Sequence, residues 1–505
     1  MTSNDWSGVG VPPPLGGWRP ELTVSVVIPA YADQAYLDLT LAALTAQTYP
    51  ADLLEVIVVD DGSPTPLRLP ALRPEHTRIV RAPGEGWGPG YAVAYGAMEA
   101  TGAILHRVDA DMLLFPEHVE ALARWHHLAP YAVTLGMKRF ADATPSFSPE
   151  QVAADVAGLF TDDGTEPHGY LEDIFRRTRD LRDAGPTAFL AHVGATTAVN
   201  RALYDAAGGY DGSLHLGEDT EFGYRLAQAG ALFIPDRAAR AWHVGPTAMS
   251  RRGDGLRRYN RPFLAERMPQ PRWLRAQGGP TWTVPLVTAV VDVAEHDLET
   301  VRACVDGLLR SDERDLRVVL AGSVEPADQR RDVLDDPLLD QRLIQETYRG
   351  EPRVRLADSV ESVFPSPFLL RVPAYARLAP GTVPMLLAEA DRHEVAVVTA
   401  GPITLSRTAA QSRAALTGDP GIQRAIDAGT AGIADLRTLP AEVLAELPGD
   451  AHPGPAAGHW TPLTVEVGGV RTLLRATVVV AKLSAARLTR QVTRRVRIRK
   501  GSGDG

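Results

Sequence analysis

The first half of the chain alternates short β-branched apolar runs with longer segments whose apolar residues recur at helical spacing. Residues 23–28 and 55–59 form two such runs, and residues 36–47 between them carry leucines on one helical face. The runs predict strands buried on both faces, and the spacing predicts an amphipathic helix. Strand, helix and strand in this order predict a βαβ unit, whose ligand site lies beyond the carboxyl ends of the strands.

The same alternation continues to about residue 250 and predicts an α/β domain with a mostly parallel sheet. Helices are predicted at residues 91–100, 116–128, 201–207 and 218–227. Further strands are predicted at residues 77–81, 103–108, 131–136, 193–199, 231–234 and 241–244. Residues 141–185 are polar and irregular, and we expect them to form an insertion over the site.

Two pairs of acids follow predicted strands. Asp60 and Asp61 end one strand, and Asp109 and Asp111 end another with only Ala110 between them. Because a strand alternates its faces, the second pair should point the same way. Two carboxylates this close repel each other unless a cation lies beside them. The alternative is a solvated strand end before a helix, since an Asp-x-Asp pattern alone is common.

Two helix starts also carry candidate chemistry. Gly88 and Gly90 belong to a glycine-rich loop before the helix at 91–100, where backbone N–H groups could approach a phosphate. Glu218 and Asp219 open the helix at 218–227, although the helix dipole alone could account for acids there.

Composition narrows the class of protein. The 505 residues are 45% apolar, and a net charge of −10 argues against a nucleic-acid binder. The single cysteine, Cys304, excludes an internal disulfide and is expected to be a small buried residue of a helix. The sequence shows no signal-peptide pattern and no apolar run of about 20 residues, so we expect a cytoplasmic protein.

Taken together, these motifs resemble those of the family 2 glycosyltransferases, nucleotide-sugar enzymes with the GT-A fold, which is Rossmann-like. The resemblance covers about residues 22–250, and residues 192–243 are also similar to the chondroitin-polymerase and polypeptide GalNAc-transferase type of GT-A domain. In order, the motifs are residues 26–31 (VVIPAY), 58–63 (VVDDGS), 109–111 (DAD), 208–211 (GGYD) and 218–219 (ED).

The resemblance implies a role for each matching residue. Asp109, Asp111 and His243 would bind a divalent cation, Mn²⁺ or Mg²⁺, although a lone histidine beside Trp242 is as often simply packed. Asp219 would be the general base for the acceptor hydroxyl, and Glu218 would position the acceptor. The nucleotide sugar would be bound by Pro29, Ala30, Tyr31, Asp60, Asp61, Gly88, Gly90, Arg107, Asp109 and Ala110.

The chain departs from the family at one helix. Where the family often has Ala-Arg-Asn after its glycine loop, this sequence has Ala92-Val93-Ala94. Another cation must then face the phosphates, and the candidates are Arg107, Arg251 and Arg252.

The second half repeats the first at an offset of about 260 to 264 residues, with predicted strands at 287–291, 317–323 and 368–375. The acids are absent from this copy. Leu320 and Ala321 are expected to replace Asp60 and Asp61, and Pro373 and Tyr375 to replace Asp109 and Asp111. The sequence therefore predicts a degenerate GT-A-like domain that serves dimerisation, acceptor binding or partner docking. An unrelated α/β domain is the alternative.

These patterns predict four segments: a flexible lead-in at 1–21, a catalytic GT-A domain at 22–275, the degenerate domain at 276–460 and a basic segment at 461–505. Residues 473–498 predict a basic amphipathic helix, which could attach to anionic lipid at the inner face of the cell membrane. A solvated tail, or a helix packed on an acidic face of the same protein, is the alternative.

The sequence as a whole predicts a metal-dependent, inverting glycosyltransferase. We expect a nucleotide-sugar donor, with a UDP-sugar favoured, and a hydroxyl of a cell-envelope polysaccharide or lipid-linked saccharide as acceptor. A homo-oligomer is compatible with the second domain. The alternative is a scaffold or carbohydrate-binding protein in which both GT-A-like domains are inactive.

Overall fold

The computed structural model describes residues 3–141, 146–245, 248–275, 281–322, 334–417 and 436–439. They lie in one compact unit, Met1–Leu447, and form two sheets flanked by helices. The predicted basic segment at 461–505, with its helix at 473–498, lies outside the described residues. Among the helices that are described, none is both long and apolar enough to cross a membrane.

The first sheet is mostly parallel on the side that carries the predicted site. Its strands are β1 (Val24–Ala30), β2 (Leu54–Asp60), β3 (Thr77–Arg81), β4 (Ile104–Val108), β5 (Met112–Leu114), β6 (Ala132–Ala141), β7 (Glu166–Pro167), β8 (Thr196–Asn200) and β9 (Leu232–Val244). They lie in the order β3-β2-β1-β4-β8-β6-β9-β5, with β7 paired to β6. The pairings from β3 through β4 are parallel, so these carboxyl ends share one edge.

The helices of this half are α1 (Gln34–Thr45), α2 (Pro89–Glu99), α3 (His118–His126), α4 (Pro149–Ala154), α5 (Gly169–Arg177), α6 (Arg201–Ala206), α7 (Glu218–Gln228) and α8 (Ala248–Arg267). Helix α2 packs closely on the sheet because Gly96 has no side chain. A Cβ there would lie 2.5 Å from Val27 and 2.7 Å from Val59. This close contact places the first turn of α2 over the edge where β1 and β2 end.

The structure differs from the predicted elements in three places. The stretch 141–185, predicted to be irregular, contains α4, which starts with a capping box between Ser148 and Gln151, and α5. The two strands predicted at 231–234 and 241–244 are one strand, β9, interrupted by a register shift opposite Gly136 and Met137. The charged residues of that bulge broke the apolar pattern. Strand β5 was missed because three residues carry no periodicity.

The second sheet contains β10 (Val287–Asp292), β11 (Leu316–Ala321), β12 (Val354–Ala357), β13 (Phe368–Pro373), β14 (Val397–Ala400), β15 (Ile403–Arg407) and β16 (Leu436–Leu439). Its helices are α9 (Leu298–Leu309), α10 (Leu339–Tyr348), α11 (Thr382–Arg392) and α12 (Thr408–Thr417). Cys304 is buried in α9, as predicted.

The two sheets share one topology. The order β12-β11-β10-β13-β15-β14-β16 repeats β3-β2-β1-β4-β8-β6-β9, and each pairing has the same parallel or antiparallel direction in both. The predicted architecture, an α/β domain followed by a second copy of its sheet, is therefore confirmed. The boundaries of the four segments stay predictions.

Strand register aligns the two copies residue by residue. Val24 pairs with Leu54 and Ile104, and Val287 pairs with Leu316 and Phe368. Counting along β13 from Phe368 places Arg371, Pro373 and Tyr375 at the levels of Arg107, Asp109 and Asp111, as predicted for the last two. Along β11 the strand register differs by two residues from the alignment predicted from the sequence. Gly322, and not Leu320, is therefore level with Asp60.

A network of buried histidines lies between the first sheet and α3. The carbonyl of Arg240 accepts from His118 Nδ1 at 2.7 Å, so His118 Nε2 accepts from the Thr196 hydroxyl at 2.6 Å. His106 Nε2 then donates to the same hydroxyl oxygen at 3.1 Å. Burial lowers the pKa of His118 to about 4 and that of His126 to about 3. The folded network therefore requires neutral imidazoles.

We predict that folding stability falls as the pH falls from 6.5 towards 4, because the unfolded chain binds protons that the folded histidines refuse. One histidine with a folded pKa of about 4 contributes about 2 kcal/mol of this loss at pH 5. Urea denaturation between pH 7.5 and 5 should show a smaller loss of unfolding free energy for His118→Gln than for the wild type. His76→Gln, at an exposed position, is the control. Equal losses in wild type and His118→Gln would contradict the prediction.

Candidate active site

A cleft with a volume of about 500 Å³ lies at the carboxyl ends of β1, β2 and β4. The fold therefore places a cavity at the edge where the sequence predicted a ligand site. Predicted nucleotide and metal residues that line it are Pro29, Ala30, Tyr31, Asp61, Arg107, Asp109, Ala110 and Asp111.

Two acids and a histidine meet at the cleft. Asp109 and Asp111 lie in the turn between β4 and β5, and not on a strand, with the N–H of Met112 donating to the Asp109 carbonyl at 3.2 Å. His243 pairs with Met112 across β9 and β5. One ligand atom from each of Asp109, Asp111 and His243 lies within 4.8 Å of the others. Folding thus unites the three residues that the resemblance named as metal ligands.

The electrostatics of this group suit a hard cation. Burial raises the pKa of Asp111 to about 7, and the charge of Asp109 adds to the effect. Burial lowers the pKa of His243 to about 4, so its imidazole is neutral at pH 7, with Nε2 3.6 Å from Asp111 Oδ1. Two carboxylates and one neutral imidazole fit a cation such as Mn²⁺ or Mg²⁺.

A buried ion pair joins β4 to α7. Arg107 is 7% exposed, and its Nη2 lies 3.1 Å from Glu218 Oε1 and 3.5 Å from Asp109 Oδ1. Gly194 makes the space for the guanidinium, since a Cβ there would lie 2.3 Å from Arg107 Cζ. Burial raises the pKa of Glu218 to about 7, and Arg107 opposes that rise. Within the described part of the chain, Arg107 Nε and Nη1 have no hydrogen-bond partner.

Asp219 is held in place at the first turn of α7. Its Oδ2 accepts from the Gly194 N–H at 3.0 Å, and its Oδ1 accepts from the Thr220 N–H at 2.7 Å. Its backbone carbonyl accepts from His192 Nδ1 at 2.7 Å. The carboxylate is partly exposed, unlike that of the neighbouring Glu218.

The remaining predicted residues shape the walls of the cleft. The N–H of Gly88 donates to Asp61 Oδ2 at 2.7 Å, which ties the glycine loop to the end of β2. Asp60 is buried and accepts from the Ser63 N–H at 2.8 Å, so it does not line the cleft. Gly90 faces α7, where a Cβ would lie 2.9 Å from Glu218 Cγ.

Sequence reasoning missed three residues near the site. Lys138, on β6, is 9% exposed and close enough to Asp109 and Asp219 for their charges to act on it. Trp87 is 61% exposed and stacks on His215 with ring centroids 3.9 Å apart, beside Gly88. One signal was available for Lys138, because the chain contains only three lysines. The side chains of the candidate cations Arg251 and Arg252 lie outside the described part of the structure.

Comparison with known proteins identifies the domain that builds this cleft. The family model for glycosyl transferase family 2 matches residues 25–197. The chain contains a family 2 glycosyltransferase domain. The family predicted from the motifs is therefore confirmed, as is the enzyme class of the domain. The match includes the cleft residues from Pro29 to Asp111 and ends before α7.

Two curated relatives of the chain are polysaccharide synthases. Chondroitin synthase of Escherichia coli is 26% identical over 355 residues, which cover 66% of this chain and 49% of that protein. Hyaluronan synthase of Pasteurella multocida is 25% identical over 369 residues, which cover 67% of this chain and 36% of that protein. The chain thus spans half or less of the length of these relatives. The predicted similarity to chondroitin polymerases is confirmed at this level.

Two solved structures are also similar to the chain. GalNAc-T7 with UDP, GalNAc and Mn²⁺ is 21% identical with a TM-score of 0.33, over 45% of this chain and 44% of that one. The mannosyltransferase PcManGT from Pyrobaculum calidifontis, in complex with GDP-Man and Mn²⁺, is 20% identical with a TM-score of 0.33. That similarity covers 52% of this chain and 66% of the mannosyltransferase.

We predict that Arg107→Met destabilises the protein by about 3–5 kcal/mol, because it leaves Glu218 buried without its partner. The double variant Arg107→Met/Glu218→Gln should recover a substantial part of that loss. Chemical denaturation of the four proteins in the cycle measures the coupling. Additive losses would show that the two side chains do not depend on each other.

Proposed function

We propose that the protein transfers a sugar from a nucleotide-sugar donor to a hydroxyl group of a saccharide acceptor. The observation that carries this proposal is the meeting of Asp109, Asp111 and His243 beside a cleft whose residues from Pro29 to Asp111 lie in the family 2 match. The donor binds beyond β1, β2 and β4, with the base near Tyr31 and Asp61 and the diphosphate near Asp109 and Asp111.

Asp109, Asp111 and His243 would hold a divalent cation, Mn²⁺ or Mg²⁺. The charges support this assignment, since four acids and one cation line the cleft and leave an excess of negative charge. These groups are Asp33, Asp61, Asp109, Asp111 and Arg107. When bound, such a cation neutralises the charge that develops on the departing diphosphate.

Asp219 is the proposed general base. Its two backbone N–H contacts hold the carboxylate at the first turn of α7, where it remains partly exposed. It takes the proton of the acceptor hydroxyl as that oxygen attacks the sugar carbon from the face opposite the leaving diphosphate, which inverts the configuration. Glu218 is buried against Arg107, so we assign it to holding that guanidinium, in place of the acceptor contact that the resemblance implied.

The relatives indicate the class of acceptor. Chondroitin and hyaluronan synthases build polysaccharides, which supports a saccharide chain of the cell envelope, free or lipid-linked, as the acceptor here. A UDP-sugar is the favoured donor, and the inner face of the cell membrane is the proposed place of action. The second sheet lacks acids at the levels of Asp109 and Asp111, so we assign the domain at 276–460 a non-catalytic role.

We predict that calorimetry with UDP, GDP, CDP and dTDP will show Mn²⁺-dependent binding of one nucleotide class. Asp111→Asn should weaken that binding roughly 10-fold or more, because it removes one charged ligand without changing the size of the side chain. Asp292→Asn is the matched control, since Asp292 lies at the same edge of the second sheet. No binding to the wild-type protein would overturn the transferase proposal and favour the scaffold.

We predict that Asp219→Asn keeps the nucleotide affinity of the wild type and lowers turnover by roughly 10²- to 10⁴-fold, as expected for loss of a general base. Release of nucleoside diphosphate from the donor, with saccharide acceptors of the chondroitin and hyaluronan type, measures turnover. Wild-type turnover in this variant would remove Asp219 from the mechanism.

A further inference from the structure

Lys138 lies beside the proposed metal ligands, on the same face of the sheet as His243. Strand β6 pairs Lys138 with Ala241 and Phe140 with His243 on β9. Residues two apart on a strand share a face, and paired residues share it across strands. The ring of Phe140 lies 5.1 Å from that of His243, so both point the same way. Lys138 therefore lies two residues along β6 from Phe140, the partner of His243 in the candidate metal site.

The side chain of Lys138 is largely buried and has no dedicated partner in the described part of the chain. It is 9% exposed, and among the residues that the structure describes it makes no hydrogen bond and no ion pair within 4 Å. The charges of Asp109, Asp219 and Asp111 nevertheless act on it, which keeps it positive although burial lowers its pKa to about 8. A largely buried charge with no ion-pair partner is costly, so we expect the ammonium group to have a ligand.

The choice of lysine is unusual for this sequence. Its three lysines are Lys138, Lys482 and Lys500, and the other positions among its 52 basic residues are arginines. Lysine offers a compact point charge with three donors, whereas arginine offers a flat fork that pairs with carboxylates. A point charge next to several carboxylates suits a small anion that binds together with a metal ion.

We propose that Lys138 binds the diphosphate of the nucleotide-sugar donor and stabilises its charge as it leaves. This inference rests on the proposed function. An anion can enter a cleft beside Asp109 and Asp111 if it binds together with the divalent cation that these two residues would hold. Lys138 supplies a positive charge next to that anion. Lys138 thereby takes the part of the cation that the glycine-loop helix lacks at Val93 and Ala94. The group would bind the leaving oxygens and transfer no proton.

The competing explanation is that Lys138 only balances the charge of the neighbouring acids. The two explanations differ in the size of the effect on the nucleotide. Removal of a counterion leaves the acids more negative, so the affinity for Mn²⁺ rises and the affinity for a nucleotide at saturating Mn²⁺ falls by about 5-fold at most, the effect of one charge at a distance. Loss of a diphosphate contact lowers that nucleotide affinity by more than this, whatever happens to the metal.

The experiment titrates the full-length protein first with Mn²⁺ alone, and then, at saturating Mn²⁺, with whichever of UDP, GDP, CDP and dTDP binds the wild type. Lys138→Met should bind Mn²⁺ at least as tightly as wild type and the nucleoside diphosphate roughly 10- to 100-fold more weakly. Lys138→Arg should recover most of that loss. Arg240→Met is the matched control, since it removes one charge from an exposed position on the neighbouring strand.

A nucleotide affinity of Lys138→Met within about 5-fold of the wild type would overturn the assignment of Lys138 and leave the transferase proposal standing. Absence of nucleotide binding by the wild type would overturn both. If Lys138→Met does not fold, Lys138→Gln removes the same charge and keeps a polar side chain. Weak nucleotide binding by Lys138→Gln together with recovery in Lys138→Arg supports the contact. Equal binding by the wild type, Lys138→Gln and Lys138→Arg refutes it.

Discussion

The site depends on one buried ion pair, between Arg107 at the end of β4 and Glu218 at the start of α7. Each of the two residues is close in sequence to an acid of the proposed site: Asp109 lies two residues after Arg107, and Asp219 directly follows Glu218. The pair therefore fixes the distance between the proposed metal ligands and the proposed base. A buried pair is costly to break from either side. Gly194 completes the arrangement, because its missing Cβ admits the guanidinium and its N–H holds Asp219.

The second sheet shows how little of this arrangement follows from topology. Its strands repeat the order and directions of the first sheet, and Arg371 lies level with Arg107. Yet Arg371 is exposed, whereas Arg107 is buried beneath Gly194 and beside the ring of Tyr210. The same strand framework thus carries an arginine with and without an enclosing pocket. The chemistry comes from side chains contributed by α7 and the segments that precede it, and not from the sheet.

Much of the fold and part of the site could be predicted because the relevant signals are local. A continuous β-branched run favours a buried strand, and a parallel strand delivers its next residues to one edge, which is the edge where Asp61, Asp109 and Asp111 line the cleft. Lys138 could not be placed, because its strand pattern does not show which face is turned to the site. Strand β5 and the bulge of β9 set that face, and both result from long-range pairing.

The sequence by itself determined the main buried strands of the first sheet, the family and the loss of acids at the end of β13, since each depends on residue type at a fixed spacing. Only the tertiary structure decided that Glu218 is buried against Arg107 while Asp219 remains partly exposed, although the two are adjacent in one helical turn. Successive residues of a helix point about 100° apart, so neighbours in sequence enter different surroundings. What those surroundings are depends on β4, β6 and Gly194, which are distant in the chain and close only after folding.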